Sequence, residues 1–191
     1  IRQQKEANAL IEEFMILANI CAAETLEEHH KTCVYRVHEP PSADKLADLA
    51  LLADGMNIDL PETPNFTPKQ FNLLLEKAPT DADRELLQNA ILRCQSRANY
   101  AIENVGHYGL GLQRYAHFTS PIRRYSDLLV HRALIDACNL GADGMKQPSA
   151  EQISEICTHI SGTEQIAAKA ERRTIDRMAN IILASYLGSE Q

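Results

Sequence analysis

Two adjacent arginines, Arg123 and Arg124, are the side chains of this sequence best suited to chemistry with an anion. They follow Ser120 and Pro121, and because serine is a good N-cap and proline suits the first helical position, a helix is predicted to begin there. Both arginines would then lie in its first turn, where the helix dipole disfavours a cation by about 0.3–1 kcal/mol. A bound phosphate would offset that cost. Pairing with acidic side chains elsewhere would do the same, and the residues alone leave both interpretations open.

Other polar and aromatic side chains accompany the arginines within residues 115–132. Tyr115 could stack on a nucleic-acid base, although packing in the core is at least as common for such a residue. His117 lies close to the arginines in sequence, and the spacing of His131 from Asp127 permits an i,i+4 pair on a helix. No G-x-S-x-G motif surrounds the serines of this stretch. The pattern therefore favours anion binding over nucleophilic catalysis by serine.

The overall composition is typical of a soluble globular domain. The 191 residues are 45% hydrophobic and 24% charged, without an apolar run near the ~18 residues of a membrane span. Five cysteines form no C-x-x-C pair, which indicates a reducing, cytoplasmic setting and argues against structural zinc. The net charge of −7 argues mildly against nucleic-acid binding, but residues 107–132 carry four arginines against one aspartate. A local basic strip bears more directly on partners than the total charge does.

The first half of the chain is predicted to be mainly helical. A helix over residues 7–26 has an apolar face at helical spacing, made of Leu10, Phe14, Leu17, Ala18 and Cys21. A strand is predicted at residues 32–37, since this stretch is rich in β-branched and aromatic residues. Caps and turn residues then predict helices at residues 42–53, from 67–68 onward and from 80–81 onward.

The second half should hold the remaining strands and two long helices. Glycines among apolar residues predict a hairpin or irregular strand pair at residues 97–113, followed by a short strand at 115–118. The helix that starts at Ser120 and Pro121 should run to about residue 139, and a final helix should cover 149–187, with a break or bend at Gly162. The predicted fold class is therefore helix-rich α+β with a few short strands.

Five segments of the sequence resemble one known family. The string Y-x-H-F-T-S-P-I-R-R-Y-x-D-L-x-V-H-R is similar to the signature of the ribonuclease II / ribonuclease R (RNB) family of 3′→5′ exoribonucleases. Residues 106–112 look like the glycine-rich lead-in to that signature, and residues 10–19, 35–39 and 170–177 resemble three further family segments. The segments occur in the family's order and span nearly the whole chain, which chance does not explain.

The resemblance implies an activity and a set of contacts. Family members thread single-stranded RNA 3′ end first to a magnesium site, where water releases nucleoside 5′-monophosphates one at a time. Arg123 matches the arginine that contacts the phosphates at the scissile end, which makes it the candidate catalytic residue. The other candidate RNA-contacting residues are Arg124, Glu171, Tyr115, His117, Thr119, Ser120 and Glu13.

The resemblance also implies that part of the catalytic machinery lies elsewhere. The family's magnesium ligands are grouped aspartates N-terminal to every segment found here, and Asp81 and Asp83 are better explained as a helix cap. Residues 1–191 are therefore expected to be the C-terminal part of one RNB catalytic domain, without the upstream half and the OB-fold domains. We expect such a fragment to be inactive alone and to expose apolar surface. The alternative is a non-catalytic RNA-binding or scaffold protein with a degenerate domain, because such a protein could also keep Arg123.

Overall fold

The computed structural model describes residues 6–58, 66–145 and 148–187. Its elements, in chain order, are α1 (Glu6–Glu28), β1 (Tyr35–Val37), α2 (Ala43–Asp54), α3 (Pro68–Glu76), α4 (Asp81–Cys94), β2 (Asn99–Ala101), a short 3₁₀ helix (Tyr108–Leu110), α5 (Tyr125–Ala137) and α6 (Ala150–Leu187). The helix-rich α+β prediction is confirmed. The predictions for α2, α3 and α4 are close. The start of α4 has a local cap, since Thr80 accepts the backbone N–H of Asp83 at 3.1 Å, whereas the Ser42 side chain makes no cap hydrogen bond to α2.

Buried apolar side chains form two clusters. The larger cluster joins the second half of α1, both strands, α5 and the first half of α6, with Leu26, Val130 and Ile153 fully buried. The smaller cluster joins α2, α3 and α4 around Phe71 and Leu87. The larger cluster fixes the segment between β2 and α5, which is the segment that carries the candidate site.

The two strands pair antiparallel, with Arg36 opposite Tyr100. A regular hairpin at residues 97–113 is therefore absent, because β2 pairs with β1 and not with a strand inside that stretch. The irregular pairing that was the alternative is present as a single antiparallel bridge between His107 and Leu112. Gly106 and Gly111 adopt positive φ angles of 78° and 66°, which reverse the chain and make residues 106–112 a closed loop. The strand predicted at 115–118 is also absent, and a single bridge between Tyr35 and Ala116 stands in its place.

Two predictions about the long helices need correction. The helix predicted from Ser120 begins five residues later, at Tyr125, because the backbone N–H of Ser120 donates to the Asp127 carboxylate at 2.8 Å and residues 121–123 form a separate turn. The arginines thus precede the helix, and the dipole cost inferred from the sequence does not apply. Of the break or bend predicted at Gly162, the break is absent, since α6 continues through this residue as one helix.

Large apolar side chains are exposed on α1 and on α6, the first and last helices. Leu10, Phe14 and Leu17 of α1 are each more than half exposed, so the apolar face predicted for α1 is not covered over its first half. The buried residues of α1 are Asn19, Ala22, Ala23 and Leu26. In α6 the exposed apolar side chains include Ile166, Ile175, Met178, Ile181 and Leu183. Helical spacing reveals an apolar face, but it does not reveal whether another segment covers it.

α6 contains 38 residues, yet neither it nor any other helix among the described residues is apolar enough over a sufficient length to cross a membrane.

Candidate nucleic-acid interface

Residues 118–124, here called the signature turn, present one guanidinium to solvent. Arg123 is exposed, and its neighbour Ile122 has no part of its side chain covered. Within the described ranges the side chain of Arg123 takes part in no ion pair or hydrogen bond. The backbone N–H of Arg123 and that of Arg124 both approach the Ser120 carbonyl at 3.2 Å, which closes the turn. The structure therefore leaves Arg123 available to an external anion.

Arg124 points the other way and is held by Asp127. Its Nε and Nη2 donate to the two carboxylate oxygens of Asp127 at 2.8 and 2.9 Å. Asp127 is completely buried and also accepts the hydroxyl of Ser126 at 3.1 Å and the backbone N–H of Ser120. Burial opposes ionisation of this carboxyl, but the hydrogen bonds from Arg124 and Ser120 outweigh it and hold the pKa of Asp127 below its ordinary value. The two arginines thus differ: Arg124 is paired with an acid, and Arg123 is not.

The opposite side of the signature turn is held by Asn19, which is buried in α1. Its Oδ1 accepts the backbone N–H groups of Phe118 at 2.9 Å and Thr119 at 3.3 Å. Its Nδ2 donates to the hydroxyl of Tyr115 at 3.0 Å. Tyr115 is only 9% exposed, so its ring packs in the core and the face that a base would need is covered. Asn19 and Asp127 together accept three consecutive backbone N–H groups, those of Phe118, Thr119 and Ser120.

Two histidines, His117 and His131, lie against the turn. The Nδ1 of His117 lies 2.9 Å from the Tyr100 hydroxyl, and burial, together with the charge of Arg124, lowers the pKa of His117 to about 4. His131 does not pair with Asp127. Its Nε2 donates to the Phe118 carbonyl at 2.8 Å, and its ring stacks on Phe118 with centroids 4.2 Å apart. Both rings therefore lie against the turn as packing partners.

A salt bridge ties the strands to α6. Arg36 donates from Nη1 and Nη2 to the two carboxylate oxygens of Glu164 at 2.6 and 2.9 Å, and its guanidinium lies 4.7 Å from the centre of the Tyr100 ring. Glu171, two helical turns further along α6, is exposed, as is Glu13 in α1. Neither of these glutamates is joined to the signature turn by a hydrogen bond or ion pair in the part of the chain that the structure describes.

The described residues offer no group of three or more His, Cys, Asp or Glu side chains arranged to hold a metal ion. Asp83, one of the few closely spaced aspartates, is used at the start of α4, where its carboxylate accepts the Thr80 hydroxyl at 2.6 Å.

The sequence reasoning missed two functional supports. Asn19 lies in an otherwise apolar stretch of α1 and is 3% exposed, and a polar side chain buried in such a stretch is the signal that could have revealed it. Arg36 and Glu164 are separated by 128 residues, and nothing in the local sequence connects them.

Comparison with known proteins places these features in a family. The RNB domain profile matches residues 1–139. Ribonuclease R of Aquifex aeolicus is 38% identical over 184 residues, which is 96% of this chain and 26% of that protein. The structure of Mycoplasma genitalium RNase R in complex with ribose-methylated single-stranded RNA superposes with a TM-score of 0.84 at 28% identity, covering 97% of this chain and 30% of that one. Yeast Ssd1, a pseudonuclease, superposes with a TM-score of 0.65 at 26% identity, covering 84% of this chain and 20% of its own. The chain thus spans a third or less of each of these proteins.

Proposed function

The chain belongs to the RNB domain family, and on that premise we propose that residues 1–191 are the C-terminal part of the catalytic domain of a 3′→5′ exoribonuclease. The reaction is the hydrolysis of single-stranded RNA from its 3′ end to nucleoside 5′-monophosphates. The proposal is supported by the ribonuclease R relatives and by the RNA-bound structure of one of them. Its cellular setting would be the cytoplasm, and its partner within the same protein would be the N-terminal half of the catalytic domain.

The observation that carries the proposal is the contrast between Arg123 and Arg124. Arg123 is exposed and has no acidic partner among the described residues, and it follows a backbone segment whose N–H groups are held by Asn19 and Asp127. It is therefore a pre-positioned donor for phosphate. Fixed positive charge is what the hydrolysis of an anionic diester requires, because negative charge develops on the phosphate oxygens in the transition state. We assign to Arg123 the contact with the phosphate at the scissile end.

The other candidate residues take graded roles in this proposal. Thr119 and Ser120 would present backbone and hydroxyl groups of the signature turn to RNA, and His117 would line the turn as a neutral ring. The Nη1 of Arg124 is not used by Asp127 and could reach a neighbouring phosphate. Tyr115 would act through Asn19 and not by stacking on a base. Glu171 would contact the terminal nucleotide, and Glu13 would line the path of the RNA.

Magnesium dependence is part of the proposal for the complete protein only. The described residues do not form a magnesium site, so its ligands would come from other sequence, and we derive no step through the metal.

The second candidate function is RNA binding without catalysis. It is favoured by one observation, the similarity of the fold to that of yeast Ssd1, a pseudonuclease. Arg123 does not discriminate between the two candidates, since a binding protein could use it equally well. The difference lies in the residues that would hold the metal.

A direct assay on the complete protein separates the candidates. Single-stranded RNA labelled throughout would be incubated with the protein, with and without a chelator. We expect nucleoside 5′-monophosphates to be released from the 3′ end, and we expect the chelator to stop that release. RNA binding without any mononucleotide release would favour the second candidate. The isolated 191-residue chain should release none in either condition.

A further inference from the structure

A groove beside the middle of α6 has a strongly basic lining. It has a volume of about 800 Å³ and lies between the middle of α6 and the residues that lead into β2. Its charged lining residues are Arg36, Arg97, Lys169, Arg172, Arg173, Glu164 and Asp176. We call it the α6 basic groove. Five cationic side chains against two anionic ones are concentrated here in a chain whose net charge is −7.

Most of the positive charge in the groove is not neutralised by the residues that the structure describes. Both carboxylate oxygens of Glu164 are occupied by Arg36. Arg97 and the three basic residues of α6 form no ion pair with any residue that the structure describes, and the three on α6 are exposed. Lys169 lies three and four residues before Arg172 and Arg173, so the three cations are neighbours on the helix surface and repel one another. Such an arrangement is stabilised when an external anion occupies the groove.

The lining favours the sugar–phosphate backbone over the bases. The groove contains no aromatic side chain, and the nearby ring of Tyr100 is covered by the guanidinium of Arg36 at 4.7 Å. Bases in single strands are held mainly by stacking, whereas phosphates are held by arginine and lysine. The two acidic side chains also disfavour a compact, highly charged anion deep in the groove and favour a chain that passes along it.

We propose that the α6 basic groove binds the phosphates of single-stranded RNA, 5′ of the nucleotide whose phosphate Arg123 contacts. This inference rests on the proposed function only in taking RNA as the ligand, and it holds for a catalytic or a non-catalytic protein. Side-chain contacts join the groove to the residue that precedes the signature turn: Arg36 lines the groove and packs on Tyr100, and the Tyr100 hydroxyl contacts His117.

The test is the salt dependence of RNA binding by the complete protein with Arg97→Gln and Arg173→Gln combined. For a single strand, removing one phosphate-binding cation should flatten the slope of log affinity against log salt by about 0.7, so the double variant should be shallower by about 1.4. Affinity for RNA of about 20 nucleotides should fall roughly tenfold at low salt. The matched control combines Arg84→Gln and Arg93→Gln, which removes two arginines of α4 and should leave the slope unchanged.

A conservative variant guards against a purely structural effect. Arg97→Lys with Arg173→Lys keeps the charges and should restore the slope to within about 0.3 of the original. An unchanged slope in the Gln variant, or a change equal to that of the control, would overturn the proposal. A Gln variant that binds RNA normally but has a lowered Tm would also overturn the proposal. The groove would then hold an acidic segment of protein.

Failure of this inference is distinguishable from failure of the proposed function. If mononucleotide release occurs but the groove variants bind RNA normally, the groove assignment alone fails. If no release occurs but the groove variants show the flatter salt dependence, the catalytic assignment alone fails.

Discussion

The side chain of Asn19 accepts the backbone N–H of Phe118 at 2.9 Å, across 99 residues of sequence. The same Oδ1 accepts the N–H of Thr119, and the amide nitrogen donates to Tyr115. One buried amide in α1 therefore satisfies three polar groups at the start of the signature turn. The consequence is that α1 holds the arginine-bearing turn in place through a polar contact as well as through apolar packing.

Asn19→Ala should destabilise the protein by about 2–3 kcal/mol, because it leaves two backbone N–H groups and a tyrosine hydroxyl without their partner. Urea denaturation followed by circular dichroism measures this change. Asn89→Ala is the matched control, since Asn89 is exposed and its side chain bonds only to the carbonyl of Glu85 in its own helix. The control should change stability by less than about 0.5 kcal/mol. Equal effects of the two substitutions would show that Asn19 does not hold the turn.

Asp127→Ala should be more severe, with a loss of about 3 kcal/mol or more, since it leaves the partly buried guanidinium of Arg124 uncompensated and frees the Ser120 N–H. Asp127→Asn keeps one acceptor and should lose less. The Tm of each variant, measured by calorimetry, ranks them. A Tm for Asp127→Ala within about 2 °C of the original would contradict the role given to this carboxylate.

Stability should fall as the pH drops from about 6.5 toward 4. Burial, reinforced by neighbouring positive charge, lowers the pKa of His107 and of His117 to about 4 in the folded state. In the unfolded chain both have their ordinary value near 6.5, so between these limits the unfolded state binds more protons. The neutral rings therefore contribute fully to the free energy of unfolding above pH ~6.5. This contribution is lost as the pH falls through the folded-state pKa of about 4. Both rings are partly exposed, so solvent screens part of the effect. We expect the Tm at pH 4.5 to be roughly 5 °C lower than at pH 7.

Substitutions identify the histidines responsible. His117→Gln, which can still accept a hydrogen bond from Tyr100, should flatten the pH dependence of Tm between pH 4.5 and 7. His29 is exposed and directly follows α1, so His29→Gln should leave the pH dependence of Tm unchanged. A flat Tm profile in the unsubstituted protein would contradict the assignment.

Local signals predicted much of the fold and only part of the site. The helices that begin at Thr67 and Thr80 were predicted well because their caps lie within three residues of the groups they satisfy. The start of α5 was not predicted well. The Ser120 N–H donates to Asp127, which is seven residues later in the sequence, and this contact replaces a local cap.

The partners of β2 and of the signature turn could not be predicted for the same reason. Tyr100 pairs with Arg36, and Phe118 bonds to Asn19, and each contact joins segments that are more than 60 residues apart. Helix position alone did not distinguish Arg123 from Arg124, and the family resemblance was what made Arg123 the catalytic candidate. Their different surroundings, one exposed and one bound to Asp127, emerge only from the fold.

The most direct test of the catalytic assignment is Arg123→Ala in the complete protein, with the rate at saturating RNA and the affinity for RNA measured separately. Because the guanidinium acts mainly on charge that develops in the transition state, the rate at saturation should fall about 100-fold or more. The dissociation constant for RNA should change by less than about threefold. Arg84→Ala, which removes an arginine of α4, should change neither the rate at saturating RNA nor the dissociation constant. An unchanged rate at saturation, with slower turnover at low RNA fully explained by weaker binding, would contradict the catalytic role of Arg123.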